Sequence, residues 1–151
     1  MKRFIAAMTA ASVLAAFVPF AVAADGPAFT LKSAAGGTVS LGQFAGKKPV
    51  LLVFWATWCP HCNEAAPSIN DMHMRLSGRL EILAVDFMES AEKVKGFIRK
   101  KNVSYTVLLD RDGKVARLYG VRGIPTYVLL DRNGRIVYFD NELPPDIERR
   151  I

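Results

Sequence analysis

Hydrophobic and polar positions follow two periods along this chain, and these periods predict strands and helices in turn. Two continuous apolar runs, at 50–55 and 80–85, are typical of strands covered on both faces in a parallel sheet. Apolar residues at helical spacing predict helices over 59–77 and 91–101. Strands that alternate with helices indicate parallel βαβ units.

Shorter patterns extend the sheet. We predict further strands at 38–41, 105–109, 126–130 and 136–139, and short helices at 115–119 and 146–151. The last two strands flank Asp131-Arg132-Asn133-Gly134, a strong hairpin signal that adds an antiparallel edge. The predicted fold class is therefore α/β, with a central mixed sheet flanked by helices. We expect residues 24–37 to be a loose Gly/Ala-rich lead-in and residues 38–151 to be one domain.

The first 23 residues have the layout of a secretory signal. Lys2 and Arg3 precede an apolar run from Phe4 to Phe20, and Ala21-Val22-Ala23 has small residues where a signal peptidase reads. We therefore predict that residues 1–23 are cleaved and that the protein works in the periplasm or elsewhere outside the bacterial cytoplasm. The apolar run also approaches the ~20 residues that cross a bilayer, so retention of this segment as a membrane anchor is the alternative.

The number and distribution of charged residues do not favour nucleic acid as a partner. The whole chain has 20 Lys+Arg and 14 Asp+Glu. Without Lys2 and Arg3, 18 basic residues face 14 acidic ones, a net charge of +4. The basic residues form no dense block and no basic-aromatic stripe, so nucleic acid is not an expected partner. A weak preference for acidic partners or an anionic membrane surface is all that this charge supports.

The two cysteines of the chain, Cys59 and Cys62, are the first candidates for chemistry. Cys59 follows the buried strand at 50–55 and begins a helix, where free backbone N–H groups and the helix dipole favour a thiolate. Residues three apart on a helix lie about 5–6 Å apart, which suits a disulfide. We predict a redox couple, with Cys59 as the nucleophile and the less accessible Cys62 as the resolving thiol.

Metal binding is the alternative for this pair. A zinc site needs two more ligands, and the chain has only His61 and His73 to offer. Met72-His73-Met74 presents ligands that suit Cu(I), but neighbouring residues on a helix point about 100° apart. We interpret Met72 as a core residue and expect no metal site and no cofactor. A copper metallochaperone or assembly factor, with Cys59, His61 and Cys62 holding Cu(I), remains an alternative function.

The segment Phe54-Trp55-Ala56-Thr57-Trp58-Cys59-Pro60-His61-Cys62 resembles the active site of the thioredoxin superfamily. More closely, the chain resembles the exported TlpA/ResA-like thiol:disulfide oxidoreductases over nearly all of residues 27–148. The resemblance includes the opening at Pro27, Pro67 five residues after the second Cys, and Gly123-Ile124-Pro125-Thr126.

The resemblance implies a thioredoxin-like fold and disulfide exchange with cysteine-containing exported proteins. It also implies a membrane thiol/disulfide electron-transfer partner. Pro125 would be cis and would lie against the Cys pair, where it and Ile124 belong to the groove that holds the extended backbone of the substrate.

Two departures from the family pattern concern acidic residues. Val53 stands where thioredoxin has a buried Asp that assists proton transfer to the second Cys. Ala65 stands where ResA-like and cytochrome-maturation members have a Glu, and Glu64, one place away, is interpreted as a solvated carboxylate. These differences put a cytochrome-specific role in doubt but leave the thiol chemistry intact.

The third departure concerns the direction of the reaction. Pro60 and His61 form the dipeptide of the DsbA oxidases, and a partly protonated imidazole beside the Cys59 thiolate makes a disulfide more oxidising. Family resemblance slightly favours a reductase, and a DsbA-like thiol oxidase is the alternative. A peroxiredoxin-type peroxidase is disfavoured, because the pattern Pro-x-x-x-Thr-x-x-Cys would need a proline at position 52, which is Leu.

Four other residues lie near the pair in the sequence or after the next strand. Trp58 adjoins Cys59, and we expect it to shield the thiolate and shape the docking surface, whereas Trp55 is expected to pack in the core. Asp86 and Glu89 follow the second buried strand. A position at the edge of the site is one interpretation, and we favour the other, that they are solvated loop acids.

Overall fold

The computed structural model describes residues 25–151, and the predicted signal segment at 1–23 lies outside them. A seven-stranded sheet has the order β2-β1-β5-β4-β3-β6-β7. The strands are β1 (Thr30–Ser33), β2 (Thr38–Ser40), β3 (Val50–Trp55), β4 (Glu81–Phe87), β5 (Thr106–Asp110), β6 (Thr126–Leu130) and β7 (Ile136–Asp140). The helices are α1 (Pro60–Leu76), α2 (Ala91–Lys101), α3 (Lys114–Leu118) and α4 (Ile147–Arg150), with a 3₁₀ turn at Leu41–Phe44.

Strand β3 lies in the interior of the sheet, parallel to β4 and antiparallel to β6. All six of its residues are buried, and Leu51, Leu52 and Phe54 are completely so. Because successive side chains of a strand point to opposite faces, a strand buried throughout needs a packed layer on each face. The strand expected at 50–55 is confirmed.

The two faces of the sheet support two hydrophobic cores. One core contains Leu51, Val53 and Trp55 of β3 together with the buried residues of α1, α2 and α4. The other contains Leu52 and Phe54 of β3 with residues of the 3₁₀ turn and α3. The expected α/β class, with a central mixed sheet flanked by helices, is confirmed by this arrangement.

Local sequence signals explain the ends of the two long helices. Ser90 precedes α2 and its hydroxyl accepts a hydrogen bond from the Lys93 N–H at 3.4 Å. Asn102 ends α2 in the left-handed region, at a φ of 50°. Gly78, after α1, has a φ of 86°, which glycine adopts without a steric penalty.

The N-terminal region differs from the expected loose lead-in. Thr30–Ser33 is a strand that pairs antiparallel with β2 and also with β5, so the sheet begins before residue 38. Its side chains are alternately exposed and half-buried, which gives too weak a hydrophobic pattern to identify such a short strand. The pairing depends instead on the free edge of β5, which a local sequence pattern does not reveal.

Within residues 25–151, none of the helices is both long enough and apolar enough to cross a membrane.

Replacement of Leu52 by alanine tests the central role of β3. We expect Leu52→Ala to lower the free energy of unfolding by about 2–5 kcal/mol, because a cavity in a rigid core adds to the lost burial. Leu118→Ala, at an exposed position of α3, is the matched control and should change it by less than about 0.5 kcal/mol. Urea denaturation followed by circular dichroism measures the free energy of unfolding of both variants. Equal losses in Leu52→Ala and Leu118→Ala would contradict the assignment of Leu52 to the core.

Candidate active site

Cys59 lies at the start of α1, after the turn that follows β3. After β3 ends at Trp55, the Cys59 N–H donates a hydrogen bond to the Ala56 carbonyl at 3.2 Å and closes a tight turn. Cys59 is the N-cap of α1, and Pro60 is the first helical residue. Proline suits this position, because its missing N–H would have no partner inside the helix.

Cys59 and Cys62 form a disulfide, and their Cα atoms are 5.3 Å apart. The expected fit of residues three apart on a helix to a disulfide is thus confirmed. The Cys62 N–H donates a hydrogen bond to Cys59 Sγ at 3.2 Å. In the dithiol form, this N–H and the positive end of the helix would stabilise a thiolate on Cys59.

The exposed fractions of the two cysteines differ from expectation. Cys59 is 3% exposed and Cys62 is 5% exposed, so exposure of the whole residue does not mark Cys62 as the less accessible thiol. Their surroundings do differ. Cys59 Sγ lies 3.7 Å from the Ile124 carbonyl, whereas Cys62 lines a cavity of about 10 Å³ beside Val53 and Tyr105. The replacement of a buried acid by Val53 leaves this inner cavity without a carboxylate among its lining residues.

The loop before β6 faces the cysteine pair, and the Ile124–Pro125 peptide bond is cis. Two hydrogen bonds hold this loop. The Thr126 hydroxyl donates to the Gly123 carbonyl at 2.6 Å, and the Asn141 side-chain amide donates to the Pro125 carbonyl at 2.6 Å. The position of Asn141, just after β7, carries no sequence pattern that would have identified it as a loop anchor.

A groove of about 800 Å³ runs past this loop. Its lining includes His61, Glu64 and Ala65 from α1 on one side, and Ile124, Pro125 and Asn141 on the other. More than half of the lining residues are apolar, which suits contact with the side chains of an extended segment.

Trp58 lies on the surface beside this groove and is 63% exposed. It lines a second, smaller hollow of about 350 Å³ with Phe87, Val121 and Ile124. The role expected for Trp58, to shield the thiolate and shape a docking surface, stays a prediction. Trp55, in contrast, is buried and its ring packs on Phe97 with centroids 4.6 Å apart, which agrees with the predicted core position.

His61 is exposed and faces an acid of its own helix. Its Nδ1 lies 3.3 Å from Glu64 Oε2, and the two side chains are 81% and 75% exposed. Glu64 is the solvated carboxylate that we expected. Its nearness to His61 was not foreseen, although residues three apart on a helix are neighbours.

The interpretation of Asp86 and Glu89 as solvated loop acids is wrong. Asp86 is completely buried and Glu89 is 6% exposed. The Glu89 carboxylate accepts hydrogen bonds from the Thr57 N–H at 2.6 Å and from the Thr57 hydroxyl at 2.7 Å. A usable signal was present, because β3 and β4 are parallel neighbours and the residues that follow them meet at one edge of the sheet.

Asn63 holds the same turn from the other side. Its side-chain amide donates to the Thr57 carbonyl at 3.0 Å and to the Cys59 carbonyl at 2.8 Å. The turn between β3 and α1 is therefore fastened both to the helix that follows it and to Glu89 after β4. Sequence patterns gave no reason to single out Asn63.

Burial, followed by the side-chain hydrogen bond and the negative charge of the neighbouring Glu89, raises the pKa of Asp86 from 3.8 to about 8, although the backbone N–H of Glu89 acts in the opposite direction. Asp86 Oδ2 accepts a hydrogen bond from the Glu89 N–H at 3.2 Å. Within residues 25–151, Asp86 Oδ1 has no hydrogen-bond partner, and neither does Nε1 of Trp55, the residue paired with Asp86 across the strands. At neutral pH, Asp86 is therefore a buried carboxylic acid.

The residues considered for copper do not converge. Met72 is buried in the core and Met74 is exposed, while His73 Nδ1 lies 3.1 Å from the Ser104 hydroxyl. Among residues 25–151, no three His, Cys, Asp or Glu side chains lie close enough together to hold a metal ion.

A helix that starts with a Cys-x-x-Cys disulfide and faces a cis-proline loop places the protein in the class of thioredoxin-like proteins with a redox-active cysteine pair. The model of the AhpC/TSA family matches residues 22–139, and the chain belongs to this family. The resemblance seen in the sequence is thereby confirmed.

Individual relatives point to the same chemistry. The chain is 32% identical over 114 residues to the thiol-disulfide oxidoreductase ResA of Bacillus thuringiensis subsp. konkukian, which covers 75% of this chain and 65% of that protein. The chain thus spans just under two thirds of the length of this relative.

Solved structures confirm the thioredoxin-like fold. The thioredoxin domain of a thiol-disulfide oxidoreductase from Bacteroides vulgatus superposes with a TM-score of 0.75 at 28% identity, covering 87% of this chain and 98% of that one. A secreted disulfide oxidoreductase of Mycobacterium tuberculosis, homologous to E. coli DsbE, gives a TM-score of 0.69 at 28% identity, covering 76% and 84%.

The raised pKa of Asp86 predicts how stability depends on pH. Between about pH 4 and pH 8 the folded protein keeps a proton on Asp86 that the unfolded chain releases, so the free energy of unfolding falls as pH rises. Asp86→Asn stays neutral throughout and should remove this fall, which we expect to be on the order of 3 kcal/mol.

Asp71→Asn, at an exposed position of α1, is the control and should keep the slope of the wild-type protein. Urea denaturation at a series of pH values measures each slope. A wild-type stability that is flat or rises between pH 4 and pH 8, with the same slope in Asp86→Asn, would refute a buried protonated Asp86.

Proposed function

We propose that this protein exchanges disulfides with cysteine-containing proteins through the Cys59–Cys62 couple, and that it acts as a reductase outside the cytoplasm. The observation that carries the proposal is the disulfide at the start of α1, where the Cys62 N–H donates to Cys59 Sγ beside the Ile124 carbonyl. The names of the relatives, which are thiol-disulfide oxidoreductases, support the same activity.

The exchange proceeds in two steps. In the dithiol form, the Cys59 thiolate attacks one sulfur of a substrate disulfide, the substrate S–S bond breaks, and the other substrate sulfur leaves as a thiolate. Cys62, deprotonated as it reacts, then attacks Cys59 Sγ of the mixed disulfide and releases the second substrate thiolate, which takes up a proton. Two electrons pass to the substrate, and the protein is left with the observed disulfide.

The groove beside the cysteine pair suits the substrate backbone. An extended segment lying along Ile124 and Pro125 would bring its own disulfide next to Cys59, because the Ile124 carbonyl is 3.7 Å from Cys59 Sγ. The exposed indole of Trp58 would cover the other side of the segment. Contacts of this kind recognise an extended backbone and not a particular amino-acid sequence, so one groove can bind several different substrate proteins.

The electrostatics around His61 favour the reductase. A protonated His61 alone would stabilise the Cys59 thiolate and make the disulfide more oxidising. Glu64, 3.3 Å from His61 Nδ1, offsets that positive charge. A membrane thiol/disulfide partner would then return Cys59 and Cys62 to the dithiol form after each turnover.

Export is part of the proposal. It is supported by the signal-like residues 1–23 and by the description of the related Mycobacterium tuberculosis protein as secreted. In an extracytoplasmic compartment, substrate disulfides form and persist, so a reductase of exported proteins has substrates there.

Serine substitutions test the two thiol roles. We expect Cys59→Ser to abolish reduction of insulin disulfides, because the attacking sulfur is lost. Cys62→Ser should instead accumulate a mixed disulfide between Cys59 and the substrate, because no thiol resolves it. Turbidity measures insulin reduction, and non-reducing electrophoresis with mass spectrometry detects the adduct. Full turnover in Cys59→Ser would refute the proposed function.

The reduction potential of the Cys59–Cys62 couple tests whether the protein acts as a reductase or as an oxidase. Equilibration of purified residues 24–151 with glutathione buffers should give a value near the thioredoxin end of the scale, about −270 mV. His61→Gln should lower the potential by about 30 mV or less, because Glu64 already offsets the imidazole charge, and His73→Gln should leave it unchanged. A value near that of DsbA, about −120 mV, would identify the protein as a thiol oxidase.

A further inference from the structure

Glu89 is a buried acid with no part in the exchange steps described above. It lies in the turn between β4 and α2 and is 6% exposed. Both of its carboxylate oxygens accept hydrogen bonds from one residue, Thr57, at 2.6 and 2.7 Å. A carboxylate is the side chain that can accept two such bonds side by side without offering a donor.

These bonds fasten the turn that delivers Cys59 to the helix. Thr57 precedes Cys59 by two residues, and the turn is also closed by the Cys59 N–H bond to the Ala56 carbonyl. Asn63 binds the carbonyls of Thr57 and Cys59 with one amide nitrogen. The backbone position of Cys59 therefore depends on Glu89 from one side and on Asn63 from the other.

The same contacts place a negative charge at the turn that leads to Cys59. Residues two apart span at most about 7 Å along the backbone, so the Glu89 carboxylate, bonded to the Thr57 N–H, lies within about one Debye length of Cys59. Because Glu89 is buried, water screens this charge less than it screens the exposed Glu64.

Neighbouring groups do not cancel the charge. Asp86, which is hydrogen-bonded to the Glu89 N–H, is kept neutral at pH 7 by its raised pKa. Both oxygens of Glu89, in contrast, accept hydrogen bonds from Thr57, as those of a carboxylate do. Arg111, a cation that acts on Asp86, has a side chain exposed to solvent, so its charge is screened.

From this geometry we infer that Glu89 is a positioning residue for Cys59 and that its buried negative charge makes the Cys59–Cys62 couple more reducing. A carboxylate close to Cys59 raises the free energy of the thiolate and so destabilises the reduced protein relative to the disulfide. The effect of Glu89 on the Cys59 thiolate is thus opposite to that of the helix N-terminus and of a protonated His61, both of which stabilise it. This inference rests on the proposed function and supplies a second reason for its reducing direction.

Three substitutions separate the charge from the hydrogen bonds. Glu89→Gln removes the charge but keeps both contacts, because the glutamine carbonyl can accept from the Thr57 N–H and its amide can donate to the Thr57 hydroxyl. Glu89→Ala removes both. Thr57→Val keeps the charge and loses the hydroxyl contact. Glu92→Gln, at an exposed position in the first turn of α2, is the matched control for loss of one negative charge.

The readouts are the equilibrium with glutathione and the rate of insulin reduction, measured on protein shown to be folded by circular dichroism. Glu89→Gln should move the glutathione equilibrium about tenfold toward the dithiol, which corresponds to about 30 mV more oxidising. The pH midpoint for alkylation of Cys59 in the reduced variant should fall as well. Thr57→Val should keep the wild-type potential and reduce insulin more slowly, and Glu92→Gln should match wild type in both.

If the reduction potential of Glu89→Gln equals that of wild type, the inferred effect of the Glu89 charge is overturned. It is overturned as well if Glu92→Gln shifts the potential as much as Glu89→Gln does, because loss of any nearby negative charge would then have the same effect. Wild-type rates in both Thr57→Val and Glu89→Ala would overturn the positioning role. Failure of the proposed function gives a different result, since the wild-type protein itself would then not reduce insulin. The reduction potentials of wild type and variants could still be compared, so the effect of the Glu89 charge would still be tested.

Discussion

The parallel pairing of β3 with β4 is the constraint on which the rest of this structure depends. Six successive residue pairs, from Val50–Glu81 to Trp55–Asp86, keep the two strands in register to their carboxyl ends. Parallel strands place those ends at one edge of the sheet, so the turn that leads to Cys59 and the turn that contains Glu89 must meet there. The register, set by burial of both strands, therefore determines the distance between the reactive thiol and the acid that holds its backbone.

The cysteine site combines opposing electrostatic effects. The start of α1 and the Cys62 N–H favour a thiolate on Cys59, and a protonated His61 would add to this. The carboxylates of Glu64 and Glu89 act against it, one exposed and one buried. The potential of such a couple is a difference between these contributions. The dipeptide between the cysteines is consequently a poor guide to the reduction potential of the couple if the nearby acids are left out of account.

The buried acids have a cost in stability. Keeping Asp86 out of water leaves its Oδ1 without a partner and forces the side chain into its neutral form at pH 7. Glu89 avoids a similar penalty because Thr57 supplies two donors to its carboxylate. The apolar cores on both faces of the sheet compensate for this penalty, since β3 and β6 are buried along their whole length. Polar groups at such a depth are typical of functional sites, where local stability is reduced for the sake of chemistry.

The sequence by itself determined the elements whose signals are local. The apolar runs at 50–55 and 80–85, the helical spacing after Cys59, and the hairpin at Asp131–Gly134 all predicted elements that the structure contains. The spacing of Cys59 and Cys62 was enough to predict a disulfide, because three residues on a helix fix the distance between two side chains.

Only the tertiary structure decided which distant groups meet. Strand β1 has a weak pattern and exists because β5 offers it a free edge. Glu89 binds Thr57 across 32 residues, and the Ile124 carbonyl reaches Cys59 across 65. Periodicity reports which side of an element is buried but not which partner a polar group finds, because that partner is set by strand order and register. For this reason the reactive cysteines could be read from the sequence. The succession of two buried strands gave a signal for the position of Glu89 at the same sheet edge but not for its bonds to Thr57, and no pattern marked the amides of Asn63 and Asn141.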